Sequence, residues 1–168
     1  MAKLEDAPRI RHIMEEAHRA MADQNAYITD DIPYIRDHIQ DNGFTLVAED
    51  GEVMVGFFLV CVPGLTENNL AYELDFSEEQ LLQVALMDSA AVLPAYQGRG
   101  IMSQMFKMAV ERTETQYPYL LGTVAPDNYP SRRNFEKNGF QCLKIIEKYG
   151  GRVRCLMGRF RETPGDCG

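Results

Sequence analysis

The sequence predicts a single mixed α/β domain spanning residues 1–168, and three observations carry that prediction. Its 168 residues and 45% apolar content suit one ordinary hydrophobic core, with little room for a second. Helical spacings and strand-like apolar runs follow one another along the chain, separated by Gly, Pro, Asn and Asp. A glycine pair at the centre joins an apolar run to an amphipathic one, as a strand-to-helix turn does.

Leu4–Met21 has helical spacing, with Ile10, Ile13, Met14, Ala17 and Met21 on one stripe. Asp30 or Asp31 can cap a second helix over Ile32–Gln40, with Pro33 in its first turn and Gly43 beyond its end. Phe44–Ala48 and Val53–Val62 read as strands around the turn at residues 49–52, and Pro63-Gly64 stops the second. Leu65–Gln80 is polar and has no clear period. Leu81–Leu93 reads as a long strand, and a helix from about Gly100 to Thr115 follows the glycines. Tyr119–Ala125 is a short strand, and Asp127-Asn128 with Pro130 starts a helix that Gly139 ends. Phe140–Lys148 and Arg152–Arg161 form a closing hairpin around Gly150-Gly151.

Several classes drop out. The longest near-continuous apolar run, Val53–Val62, is about half of the roughly 20 residues a membrane helix needs. No basic and then apolar leader opens the chain, so a cytoplasmic location is expected. Cys61, Cys142, Cys155 and Cys167 lie far apart without a CxxC pair, and the histidines all precede residue 40. Neither a zinc motif nor a disulfide scaffold fits that spacing, and no metal is expected.

The net charge of −8 is unevenly distributed. Residues 1–98 hold 5 basic and 18 acidic side chains, a net of −13; the remainder hold 12 and 7, a net of +5. The two halves therefore suit partners of opposite sign, although acids coating solvated helices would give the same count. Nucleic acid is a poor partner for so acidic a chain, and no membrane partner is indicated.

The most informative stretch is Val92-Leu93-Pro94-Ala95-Tyr96-Gln97-Gly98-Arg99-Gly100-Ile101-Met102-Ser103. A strand that runs through glycines into a helix offers backbone N–H groups at the positive end of the helix dipole, a site suited to phosphate. Gly98 and Gly100 carry no Cβ to keep an anion away, and Arg99 adds charge. A P-loop would need Lys after Gly100, and a dinucleotide fold would need a third glycine at Ser103; the chain has neither.

Gln97-x-x-Gly100-x-Met102 resembles the acyl-CoA signature Arg/Gln-x-x-Gly-x-Gly/Ala of the GNAT superfamily of N-acetyltransferases. Thr123-Val-Ala-Pro-Asp-Asn-Tyr-Pro-Ser-Arg-Arg-Asn-Phe-Glu-Lys-Asn-Gly-Phe140 resembles its second landmark, and the element order matches across nearly the whole chain. The resemblance implies a central mixed, mostly antiparallel sheet flanked by helices, with a parallel strand pair that splays apart. It implies acetyl-CoA as co-substrate and direct attack by an amine in a ternary complex. Backbone groups around Val92 and Leu93 would hold the acetyl carbonyl and pantetheine arm. The N–H groups of Gly98, Arg99, Gly100, Ile101, Met102 and Ser103 would hold the pyrophosphate, with the Gln97 side chain where the turn begins. Asn128 and Ser131 would touch the pantetheine.

Three features depart from the family pattern. Met102 stands where Gly or Ala is usual, Phe135 replaces a tyrosine that protonates the departing thiolate, and the strand before the first helix is nearly missing. Tyr129 and Tyr149 are the nearest replacements in sequence, and neither matches the position.

An alkylammonium acceptor must lose a proton, which calls for a carboxylate base. Asp88 interrupts an apolar strand and is the first choice, as base or as ammonium contact; its alternative is a structural partner. Glu73 is second, with Asp75, Tyr72 and Phe76, on a connection longer than the usual 4–6 residues. The expected activity is acetylation of a primary amine, on a cationic small molecule or peptide. The rival reading is a catalytically idle acyl-CoA-binding or sensory module. Oligomeric state stays open, a homodimer included.

Overall fold

The structure is a computed structural model that describes residues 1–161, so Cys167 lies outside the described residues. Its strands are β1 (Gly43–Asp50), β2 (Val53–Cys61), β3 (Val84–Val92), β4 (Tyr119–Val124), β5 (Gln141–Lys148) and β6 (Arg152–Phe160). They form one six-stranded sheet in the order β1-β2-β3-β4-β6-β5. The pairs β1–β2, β4–β6 and β5–β6 are antiparallel, and β3–β4 is parallel. Parallel pairing joins Val84, Ala85 and Leu86 to Tyr119, Leu120 and Leu121; β3 then continues to Val92 and β4 to Val124. The expected mixed sheet with a parallel pair is what the chain forms.

The chain divides into two compact units, Met1–Cys61 with Asp88–Ala109, and Val62–Met87 with the residues from Val110 on. In the first, helix α1 (Ala7–Ala20) buries Ala7, Ile10, Ile13, Met14 and Ala17. This is the predicted stripe without Met21, which follows the helix in extended conformation; Leu4–Asp6 forms a 3-10 turn before it. Helix α2 (Ile32–Gln40) has the predicted ends. Asp31 is its cap, accepting a hydrogen bond from the Tyr34 N–H at 2.9 Å, and Pro33 lies in the first turn, where its missing N–H costs nothing. Both helices pack on the β1–β2 hairpin, whose buried side chains include Phe57, Leu59 and Val60. No strand precedes α1 among the described residues; instead the Ala2 N–H donates to the Thr45 carbonyl on β1 at 2.8 Å.

The second unit departs most from the sequence reading. Residues Leu70–Glu73 form a 3-10 turn and Glu78–Leu81 a short helix, α3. Ser77 and Gln80 cap each other's backbone at the start of α3, so Leu81 closes a helix and β3 begins at Val84. Buried Asn69 fastens this connection: its Nδ2 donates to the carbonyls of Gly64 and Leu81, and its Oδ1 accepts from the Ala71 N–H. Phe76 packs edge-on against Tyr119, with Phe160 at 5.7 Å between centroids.

Helix α5 (Tyr129–Lys137) lays Phe135 over Gly122 of β4 so closely that a Cβ at 122 would come within 2.7 Å of the ring. Gly139 takes the left-handed conformation, φ +80°, and ends α5 as predicted. The β5–β6 hairpin turns through Tyr149, Gly150 and Gly151, all at positive φ. Helix α4 (Ile101–Thr113) begins in the first unit and ends in the second. Among the described residues no helix is long and apolar enough to cross a membrane.

Candidate active site

The glycine turn lies wholly in the first unit. Pro94–Tyr96 forms a 3-10 turn after β3; Gly98 and Gly100 follow at φ +76° and +79°, and α4 begins at Ile101. A Cβ built at either glycine meets nothing within 4 Å, so the backbone conformation demands glycine and the space above it is open. Several predicted contacts are occupied from within. The Gln97 Nε2 donates to the Val92 carbonyl at 3.1 Å, which ties the turn to the end of β3. The Leu93 N–H donates to the Val55 carbonyl at 2.8 Å, so it continues the sheet. Arg99 donates to the Ala95 carbonyl and lies 4.8 Å from the Tyr96 ring centroid, which holds its charge beside the turn. Ile101, Met102 and Ser103 are each half-buried in the first turn of α4.

Asp88 lies on β3 in the same unit. Its carboxyl stays open to solvent, yet desolvation by the surrounding protein pushes its pKa above the ordinary carboxylate value. The Tyr34 hydroxyl donates to its Oδ2 at 2.8 Å and opposes that rise, as does the His38 ring. Asp30, on the connection between α1 and α2, is raised to about 7: by burial first, then by the charge of Asp88 and of Asp31. Ser89 donates to its carboxyl, and the Ser89 and Tyr27 hydroxyls lie 3.1 Å apart. Arg11 donates to the Asp30 carbonyl, while its own charge is paired with Glu15 at 2.8 Å. Two carboxylates, each held by a hydroxyl, therefore compete for charge in one place, an arrangement common at catalytic sites and costly elsewhere.

The sequence profile of the acetyltransferase (GNAT) family matches residues 7–140. The chain belongs to that family.

Solved structures agree on the fold. The ribosomal-protein-S18-alanine N-acetyltransferase from Escherichia coli superposes with a TM-score of 0.72 at 17% identity, over 99% of this chain and 95% of that one. A putative acetyltransferase from Salmonella typhimurium, solved with its cofactor acetyl-CoA, gives 0.68 at 18%, over 99% and 96%. A ribosomal-protein-alanine N-acetyltransferase from Brucella melitensis gives 0.71 at 17%, over 95% and 97%. No curated protein sequence matches significantly.

In this GNAT chain the other predicted residues fall in the second unit. Asn128 caps α5, its Oδ1 accepting from the Ser131 N–H at 3.3 Å, and Ser131 is half-buried in that first turn. Glu73 is bound up in ion pairs: Lys148 lies at 3.2 Å, Lys144 at 4.0 Å, and Lys144 also donates to the Glu73 carbonyl. Its carboxylate fastens the long connection to β5. Phe76 anchors the same connection, and the Tyr72 hydroxyl donates to the Leu65 carbonyl. Phe135 is buried against Phe140 at 5.2 Å and carries no hydroxyl. Tyr129 is 62% exposed, and the Tyr149 hydroxyl is 3.2 Å from the Thr123 hydroxyl.

Cys61 is buried, with its Sγ 3.1 Å from His38 Nε2; burial and the nearby carboxylates push the thiol up, away from the nucleophilic form. Among the described residues no group of three or more His, Cys, Asp and Glu side chains could hold a metal.

Sequence reasoning missed Tyr27, Tyr34 and His38, and read Asp30 only as a candidate helix cap. Two signals were available. The polar connection from Met21 to Asp31 is long for a helix-to-helix turn, and Tyr34 and His38 share one helical face at i and i+4.

Proposed function

We propose that this GNAT protein is an N-acetyltransferase that moves the acetyl group of acetyl-CoA directly onto a primary amine, the whole chain acting as one domain. The observation that carries this reading is Asp88, a carboxylate open to solvent, raised in pKa and fixed by Tyr34, in a chain of an acetyltransferase family. Its raised pKa brings it closer to the working pH of a general base.

The glycine turn fits an acyl-CoA pyrophosphate. Two left-handed glycines leave open space at the start of α4, where the helix dipole favours an anion and Arg99 adds charge. Acetyl-CoA supplies an activated thioester carbonyl. Asp88 takes a proton from the acceptor's ammonium and so leaves a neutral nitrogen with a lone pair. Asp30 and Asp31 favour a positively charged acceptor by long-range attraction. Glu73, committed to Lys144 and Lys148, plays no part in proton transfer. Phe135 offers no proton, so the second proton, which the nitrogen sheds as its bond to the acetyl carbon forms and the carbon–sulfur bond breaks, passes through water to the departing thiolate.

A thermal shift with acetyl-CoA tests the cofactor half of this reading, with NAD and ATP as controls. Ligand at about 100 times its dissociation constant adds roughly 2.7 kcal/mol, which raises the melting temperature by about 5–11 °C. A rise with acetyl-CoA alone is expected. No rise, or an equal rise with ATP, contradicts the assignment.

A further inference from the structure

Resting on the reading of Asp88 as the base, we propose that Tyr34 is a positioning residue for it. Its hydroxyl holds one carboxylate oxygen, keeps the charge on Asp88 and leaves Oδ1 for the acceptor nitrogen. Tyr34 sits in the first turn of α2, where Asp31 and Pro33 fix the helix start. Its ring is held from behind. His38, one turn later and buried, stacks on it with centroids 4.1 Å apart and an interplanar angle of 29°.

The His38 ring is itself clamped at both nitrogens. Its Nδ1 donates to the Tyr34 carbonyl at 2.8 Å, and its Nε2 lies 3.1 Å from the Cys61 Sγ. A phenol fixed in this way reaches Asp88 Oδ2 at 2.8 Å, an ordinary hydrogen-bond length. Burial and the charges of Asp88 and Asp30 push the Tyr34 phenol far above its ordinary value, so it remains a donor at every working pH.

Asp88 and the groups around it come from four elements. Tyr34 and His38 belong to α2, Cys61 to β2, Tyr27 and Asp30 to the α1–α2 connection, and Asp88 itself to β3. Asp30 competes with Asp88 for the proton, because two carboxylates in mutual repulsion do not both ionise freely. Tyr34 bonds to Asp88 and not to Asp30, so it biases the pair toward charge on the residue that needs it.

The test is Tyr34→Phe, which keeps the ring and its stacking on His38 and removes only the hydroxyl. Carbon-13 NMR of the aspartate carboxyls across pH reads the pair directly, with or without turnover. The Asp88 midpoint is expected to rise by about one to two pH units, the size of a lost hydrogen bond to a charged group. The Asp30 midpoint is expected to fall, as Asp88 carries less charge. Kinetically, kcat on the acidic limb of the pH profile drops about tenfold with the acetyl-CoA KM unchanged, and that limb moves up with Asp88. In an Asp88→Asn background, Tyr34→Phe has no further effect on kcat.

An Asp88 midpoint that stays in place in the folded variant overturns the proposal, as does a further tenfold loss in the double variant. Should no amine be acetylated by the wild type, the acetyltransfer reading fails while the NMR result still decides the role of Tyr34.

Discussion

Asp88→Asn lowers kcat by about 10²–10⁴-fold at pH 7, the range attributed to a positioned general base. The amide keeps an oxygen for the Tyr34 hydroxyl and the shape of the carboxyl, so the fold and the neighbouring bonds survive. It cannot take the acceptor's proton. The deficit shrinks as pH rises, because solution chemistry then supplies the neutral amine that the proposed base would otherwise generate. Affinity for acetyl-CoA is unchanged, since the glycine turn is untouched. Steady-state rates of wild type and variant between pH 6 and about 10 provide the check, given ordinary lysine-type amine pKa values near 10. A variant within about threefold of wild type at pH 7, well short of the 10²-fold floor, would falsify the assignment.

Asp30→Asn should stabilise the protein at alkaline pH and not at acid pH. The ordinary carboxylate value is 3.8, and in the folded chain Asp30 is raised to about 7. Between those values the native state holds a proton that the unfolded state has released, so stability falls as pH rises through that window. Above it the native protein carries the full cost of a charge placed in a desolvated site beside Asp88 and Asp31. A shift of about three units corresponds to at most about 4 kcal/mol, and the amide removes that cost while keeping an acceptor for Ser89. Melting temperatures of the two proteins should therefore coincide near pH 4 and separate by pH 8, the variant melting higher. Equal separation at both pH values would mean that Asp30 acts through packing and not through its charge.

This instability marks a choice between fold and function. A chain selected for stability alone would not place two carboxylates in mutual repulsion. A cationic acceptor, of the kind proposed, would supply the counter-charge.

What the sequence reveals depends on how local each signal is. Helix α2 was legible to the residue because Asp31, Pro33 and Gly43 all act within a few positions. The glycine turn was legible for the same reason: positive φ at Gly98 and Gly100 is a property of the backbone there. Helix α3 had an equally local signal in Ser77-x-x-Gln80, hidden by the polar composition of the connection around it. Long-range partners were not legible. Asp88 stood out as an acid in an apolar strand, but that Tyr34 would reach it and Asp30 would oppose it depends on how α2 packs. Glu73, the second choice, meets Lys144 and Lys148 from β5, a pairing that nothing near it in the sequence announces.

Thiol release from acetyl-CoA by the wild-type protein, measured across a panel of polyamines, aminoglycosides, amino acids and peptides, is the most direct test of amine acetylation. The expected result is acceptor-dependent release matched one for one by acetylated amine in the mass spectrum, fastest with cationic acceptors. Saturable acetyl-CoA binding with no acetylated product from any amine would contradict it, and would leave a protein that binds the cofactor without using it.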